Sequence, residues 1–121
     1  MWETPVKLQQ VRKFALSLPE ASEEPHFEYT SFRVKGKIFA TAPPNEEHLH
    51  IFVEEEHRAP LIAVEPETYE ALRWGSKVVG VRVALERASS GTVNRLLLES
   101  WARKAPKRLA AAFRQGGGQQ S

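Results

Sequence analysis

The sequence contains no cysteine among its 121 residues and no long uninterrupted apolar run. Without cysteine there is no disulfide framework, no thiolate zinc site and no cysteine nucleophile, and the chain suits a reducing cytosol. No segment approaches the roughly 20 apolar residues needed to cross a bilayer, and the opening MWETPVKLQQ lacks the apolar core of a secretion signal. These absences predict a soluble, cytoplasmic protein that has no membrane partner.

Positive charge is concentrated in the second half of the chain. The net charge is only +2, but residues 1–60 carry a net −3 and residues 61–121 carry a net +5. Such asymmetry is a hint of a polyanionic partner. A solvated basic surface that keeps the protein soluble is the more common explanation, and both remain open at this point.

The first half of the chain predicts one helix followed by three strands. Thr4 and Pro5 fit the N-cap and first position of a helix over Pro5–Ser17, which ends at Pro19. After the polar turn EASEEPH, aromatic and β-branched residues predict strands over residues 27–34, 37–41 and 48–54. Lys35 and Gly36 form the loop of a hairpin in which Phe32 faces Phe39 and Val34 faces Lys37.

The second half predicts a short helix, one or two strands and a longer helix. Three glutamates at positions 54–56 start the short helix, residues 66–73 fit either a helix or an edge strand, and KVVGVRVAL over residues 77–85 is the clearest strand. Gly80 in this strand marks a bulge or a close approach. A helix follows Ser89 with Val93, Leu97 and Trp101 on its core face, and Pro106 starts a further turn or short helix.

These elements describe an α+β domain with two layers and a mostly antiparallel sheet. Residues 1–114 form one domain, and the sequence QGGGQQS over residues 115–121 predicts a flexible tail. No internal repeat is evident.

Motifs for catalysis or metal binding are weak or missing. His48 and His50 share one strand face at a spacing that metal sites use, but a half-exposed strand explains them equally well. The paired glutamates lie in loops or at a helix start, and the chain has no nucleophile elbow, phosphate-binding loop or dinucleotide fingerprint. We therefore expect no catalytic residue, no metal, no cofactor and no enzymatic activity.

Basic residues mixed with aromatics are the most suggestive pattern. They occur at the tip of the first hairpin, around Gly75 and near Pro106, and hairpin tips and helix ends are places where cations reach phosphates. Trp74 fits either an exposed role or core packing. The candidate nucleic-acid-binding residues are Arg33, Lys35, Lys37, Arg73, Trp74, Lys77, Lys107 and Arg108.

Four segments in order, LSLPEASEEPHF, FRVKGKIFA, RWGSKVVGVRVAL and LLLESWARKAPKRLAAAF, resemble the MmcQ/YjbR family of small bacterial proteins. The likeness runs from Leu8 to Phe113. It implies an α-β3-α-β2-α fold, with a short strand near Tyr69 to Trp74, and it implies double-stranded DNA as a partner because the family's fold resembles a double-wing DNA-binding shape. The resemblance brings no catalytic motif.

Three functions remain open on the sequence. The first is DNA binding without sequence preference, in which two basic wings contact phosphates. The second is a protein-interaction or chaperone-like module, which allows a homodimer and needs the cations only for solubility. The third is a small-molecule binder or enzyme with a deep pocket around a group such as His48, His50 or Tyr29.

Overall fold

The computed structural model describes residues 6–120, with side chains described as far as Phe113. All neighbouring strands of its single sheet are antiparallel, in the order β1-β2-β3-β4-β6-β5, and the predicted α+β class is confirmed. The elements within these residues are α1 (Leu8–Ser17), β1 (Ala21–His26), β2 (Tyr29–Val34), β3 (Lys37–Ala42), β4 (His48–Ile51), α2 (Glu55–Val64), β5 (Tyr69–Trp74), β6 (Lys77–Ala84), α3 (Ser90–Lys104) and α4 (Lys107–Gln120).

The first helix begins later than predicted. Thr4 and Pro5 lie outside the described residues, and Val6 precedes the helix and donates its N–H to the carbonyl of Leu85 at 3.2 Å. The helix then starts at Leu8, where the side chain of Gln10 accepts a bond from the N–H of Lys7 at 2.8 Å and satisfies one free amide of the first turn.

The segment predicted as a polar turn is instead the edge strand β1. Ala21–His26 pairs with β2 along its whole length, so four strands precede α2 where the predicted order has three. An edge strand has one unpaired side, and it therefore tolerates charged residues and Pro25. Arg12 of α1 secures this strand with two bonds to the carboxylate of Glu23, at 2.7 and 3.0 Å.

The β2–β3 hairpin has the predicted two-residue loop but a different register. Lys35 and Gly36 both have positive φ, +50° and +82°, as the type I′ turn requires. Val34 faces Lys37 as predicted, whereas Phe32 faces Ala40 and not Phe39. The predicted Phe32–Phe39 pair is wrong because β3 carries a bulge that leaves Phe39 without a partner on β2.

The β5–β6 hairpin is built on the same plan. Gly75, at φ +61°, opens its two-residue loop, and a bulge leaves Val79 without a partner on β5. In both hairpins an arginine lies on the tip side of the bulge and a lysine follows the turn: Arg33 and Lys37 in the first, Arg73 and Lys77 in the second. The strand that the family resemblance implies at Tyr69–Trp74 is present.

Strand β4 separates the two hairpins and is too short to reach their tips. It forms two residue pairs with β3 and four with β6, and both hairpins extend past its last residue, Ile51, in the same direction. Gly80 lies against this strand, and a Cβ there would collide with the carbonyl oxygen of Ile51. Gly80 therefore marks a close approach, as predicted.

Helices cover one face of the sheet. α3 packs across β2, β3 and β4 with α1 beside it, and the predicted core residues Val93, Leu97 and Trp101 are fully buried. The indole Nε1 of Trp101 donates to the carbonyl of Pro19 at 3.0 Å, which ties α3 to the end of α1. None of the helices in the described part of the chain has the length and hydropathy of a membrane span.

The last helix continues to Gln120, beyond the end at Phe113 that the sequence indicates. The domain end at residue 114 and the flexibility of residues 115–121 stay predictions.

Candidate functional site

A cleft of about 1140 Å³ lies along the face of the sheet away from α3 and reaches the two hairpin tips. We call it the inter-hairpin cleft. Tyr29, Thr41 and His50 line it from three adjacent strands, because they alternate along those strands with core residues such as Ile51. Phe52, the residue after β4, lines the gap that this short strand leaves between the tips.

The inter-hairpin cleft is rich in positive charge. Two cations come from each hairpin and two from the last turn of α3, while Glu54 and Glu55 are the acidic residues that line it. Its basic lining residues are Arg33, Lys37, Arg58, Arg73, Lys77, Arg103 and Lys104.

Three of these cations have partners that hold them in place. Arg33 donates through Nε to the hydroxyl of Ser31 at 3.0 Å. Arg58 donates to the carbonyl of Val53 at 2.7 Å, and Arg103 Nε lies 2.8 Å from Glu54 Oε2. These contacts neutralise or orient the arginines, so they contribute less free charge to the cleft.

The other four cations, Lys37, Arg73, Lys77 and Lys104, form no ion pair with any residue that the structure describes. Lys104 Nζ lies 5.7 Å from the centre of the Phe52 ring. Burial lowers the pKa of Lys104, and repulsion from Arg103 and Lys37 lowers it further, while Glu54 opposes the shift. The seven cations of the cleft thus outnumber its two glutamates, and this excess of positive charge is the electrostatic condition of an anion site.

The structure brings together five of the eight candidate residues. Arg33, Lys37, Arg73, Trp74 and Lys77 line the inter-hairpin cleft. Lys35, Lys107 and Arg108 do not line it, and Lys35 Nζ instead lies 3.5 Å from Glu20 Oε1.

The sequence-based site did not include Arg103, Lys104 or Phe52. The first two belong to the basic run before Pro106, but only the docking of α3 against the sheet directs them to the cleft while Lys107 and Arg108 stay outside. Helix spacing could have identified Arg103 and Lys104. Both follow the core residues Ser100 and Trp101 by one turn, so they lie on the face of α3 that packs on the sheet.

Aromatic side chains stand exposed at both ends of the cleft. Trp74 is 64% exposed although its ring contacts Phe52 edge-on, with centroids 5.4 Å apart. At the other end Phe27 is 91% exposed and holds a positive φ of +59°, which is unusual for a bulky residue. Large apolar surfaces left in water at a cleft are typical of binding sites.

His50 lies in the middle of the cleft as a neutral imidazole. Burial lowers its pKa to about 4, Arg82 and His48 add to the shift, and Glu70 opposes it. Its Nε2 is buried and has no hydrogen-bond partner in the described part of the protein, while the Tyr29 ring lies 5.9 Å away. The surrounding protein covers this atom, so a polar group in the cleft reaches it only if neighbouring side chains move.

A metal-binding cluster is not formed by the residues described. His48 and His50 share a strand face, as the spacing predicts, but among the described side chains no group of three or more histidine, cysteine or acidic residues is arranged so that it could hold a metal ion.

Comparisons with known proteins agree with this architecture. The family model YjbR matches residues 16–103. The crystal structure of the Deinococcus radiodurans protein DR2400, which has the family-model domain DUF419, is similar with a TM-score of 0.73 and 21% identity, over 84% of this chain and 81% of that one. At this identity the likeness is one of fold. No curated protein matches the sequence.

Proposed function

The chain belongs to the YjbR family, and we propose that it binds DNA without sequence preference, using the inter-hairpin cleft and the two hairpin tips around it. In this proposal the hairpins act as two basic wings that contact phosphates. The protein holds its ligand and does not transform it, so it is not an enzyme.

The observation that carries the proposal is the group of four unpaired cations. Lys37 and Lys77 follow the turns of two different hairpins, Arg73 lies beside the second turn, and Lys104 comes from α3. Three separate elements therefore direct uncompensated charge to one cleft. Folding alone gives no reason for this convergence, because like charges brought together lower the stability of the folded state.

Phosphate binding is the chemistry that suits these residues. Lysine and arginine neutralise phosphates and release condensed counterions, and this contribution is independent of base sequence. Base-specific contacts in the major groove need an inserted helix or ribbon with several side chains directed at base edges. The hairpin tips carry lysine, arginine and glycine, so their contribution is affinity and positioning.

The proposal is tested by the salt dependence of binding. Affinity of a labelled duplex is measured by fluorescence anisotropy over a salt series, and four phosphate contacts predict a slope of about −3.6 in log K against log salt. Replacing Lys37, Arg73, Lys77 or Lys104 singly with Ala should reduce the slope by about 0.9 each.

The matched control is Lys35→Ala. Lys35 lies two residues before Lys37 on the same tip but faces Glu20 and not the cleft, so its loss should leave the slope nearly unchanged. Absence of duplex binding at low salt, or an unchanged slope when all four cleft cations are removed, overturns the proposal.

A second candidate function is protein interaction, and Phe27 favours it. An exposed phenylalanine at a strained turn position is typical of a contact residue in a protein interface, including that of a homodimer. Analytical ultracentrifugation of the wild type and of Phe27→Asp tests this candidate. A concentration-dependent dimer that the substitution abolishes supports it, and a monomer at all concentrations rejects self-association.

A further inference from the structure

Trp74 is the residue of the inter-hairpin cleft that folding explains least. It is the last residue of β5 and its Cα lies directly opposite that of Lys77, so both side chains extend from the same point of the hairpin tip. Its edge-on contact with Phe52 leaves 64% of the side chain exposed. A tryptophan in this position leaves a large apolar ring in water, which favours a bound state that covers it.

The two hairpins differ at the position that Trp74 occupies. Val34 occupies the equivalent position of the β2–β3 hairpin, since each residue directly precedes the turn and faces the lysine that follows it. Val34 is fully buried in the core, whereas Trp74 lines the cleft. The two wings thus carry an arginine and a lysine at matching positions, but the exposed tryptophan is found in the second wing and is not needed to build the hairpin.

The combination of an exposed indole with neighbouring cations matches single-stranded nucleic acid. Proteins that bind single strands place aromatic rings where bases stack and basic residues along the backbone. In a duplex the base faces are already stacked on each other and are not available to Trp74. Trp74 lines the inter-hairpin cleft, so a strand with separated bases that enters the cleft brings a base face to the indole.

We infer that the nucleic acid held inside the inter-hairpin cleft is a single-stranded segment, with one base stacked on Trp74 and the adjacent phosphate bound by Lys77. This inference rests on the proposed function and specifies the form of its ligand. Duplex DNA then binds through the same cations but leaves the ring of Trp74 without a stacked base.

The experiment compares one oligonucleotide of about 12 nucleotides, single-stranded or annealed to its complement, at constant salt. Affinities are measured by anisotropy for the wild type, Trp74→Ala, Trp74→Phe and Leu16→Ala. Loss of one stacked base predicts that Trp74→Ala weakens single-strand binding by about 5- to 150-fold and duplex binding by less than about 2-fold. Trp74→Phe retains a ring and should recover most of the affinity.

Leu16→Ala is the control, because Leu16 is a partly exposed apolar residue on α1, outside the cleft. It should change neither affinity. Quenching of tryptophan fluorescence on adding the strand, lost in Trp74→Phe, gives a second readout of stacking.

The outcomes separate the two proposals. Duplex binding that equals or exceeds single-strand binding, or equal effects of Trp74→Ala on both, overturns this inference and leaves the proposed function standing. Tighter single-strand binding that depends on an aromatic ring at position 74 supports it. Failure of both ligands to bind at low salt rejects the proposed function and the inference together.

Discussion

Ser100 on α3 donates a hydrogen bond of 2.6 Å from its hydroxyl to the carbonyl oxygen of Phe39, 61 residues earlier in the chain. Phe39 is the bulged residue of β3, and the same carbonyl also accepts from the N–H of Phe52 at 3.5 Å. The core helix therefore fixes the position of the bulge from which the first hairpin extends. Both Ser100 and Phe39 are fully buried.

Removing this hydroxyl should destabilise the protein although it creates almost no cavity. Ser100→Ala leaves the buried carbonyl of Phe39 with only its long bond to Phe52, and a buried unsatisfied group costs about 1–3 kcal/mol. Urea denaturation followed by circular dichroism measures the loss. Ser17→Ala is the matched control, since Ser17 makes a bond of equal length to Phe14 on the exposed side of α1 and should cost less than about 0.5 kcal/mol. Equal effects of the two changes contradict the assignment.

Gly80 should not tolerate a larger residue. Gly80→Ala places a Cβ against the carbonyl oxygen of Ile51, and backbone cannot move aside as a side chain can, so we expect a loss of about 1–3 kcal/mol or more. Gly91 gives the opposite expectation. It lies in the first turn of α3 with open space around it, and Gly91→Ala should stabilise the protein by about 0.4–1 kcal/mol. Thermal unfolding of both variants distinguishes the two signs, and a neutral Gly80→Ala contradicts the close approach.

His50 should make stability fall as the solution becomes acidic. Its pKa is about 4 in the folded protein and near the ordinary 6.5 when unfolded, so the unfolded state binds more protons between these values. Stability is therefore retained above pH 6.5 and is lost as the pH falls, by up to about 2 kcal/mol between pH 7 and pH 5. Denaturation of His50→Gln should show a correspondingly shallower pH dependence. His26→Gln is the control, since His26 is exposed and does not contribute to the shift of His50, and identical pH profiles for wild type and His50→Gln reject the prediction.

Lys104 should report on anion binding directly. Its pKa lies below the ordinary 10.5 because of burial and because Arg103 and Lys37 repel the protonated form. A bound phosphate favours the protonated form, so adding DNA should raise the pKa of Lys104. NMR titration of isotopically labelled lysine side chains measures it. Lys37→Ala should also raise this pKa in the free protein, since it removes one source of repulsion. A pKa that moves in neither experiment shows that the charges do not interact as described.

The sequence predicted the features that depend on neighbouring residues. The loop at Lys35 and Gly36 follows from local turn chemistry, and the burial of Trp101 follows from helical spacing. β1 was missed because an edge strand with one free side does not need the β-branched pattern that identifies inner strands. The bulge at Phe39 was missed because its partner Ser100 is distant in sequence.

The sequence identified only part of the candidate site. Arg33, Lys37, Arg73 and Lys77 were found because hairpin tips expose their cations wherever the hairpins lie in the fold. Lys104 was not assigned to the site, since only the tertiary packing of α3 places it above the Phe52 ring. The likeness of the two hairpins could not be predicted from the sequence either. The bulge and the turn lie at the same positions in both hairpins but are formed by different residues, and only the flanking arginine and lysine are shared.

The shortness of β4 has a mechanical consequence for the whole sheet. Strands β1, β2 and β3 form one half of the sheet, and β4, β6 and β5 form the other half. Two residue pairs connect the halves, Ala40 with Ile51 and Thr41 with His50. Beyond Ile51, one long backbone bond still joins the two halves, from the N–H of Phe52 to the carbonyl of Phe39 at 3.5 Å. Because so few backbone bonds join the halves, we expect the angle between them, and with it the spacing of the hairpin tips, to vary more than the strand register within either half.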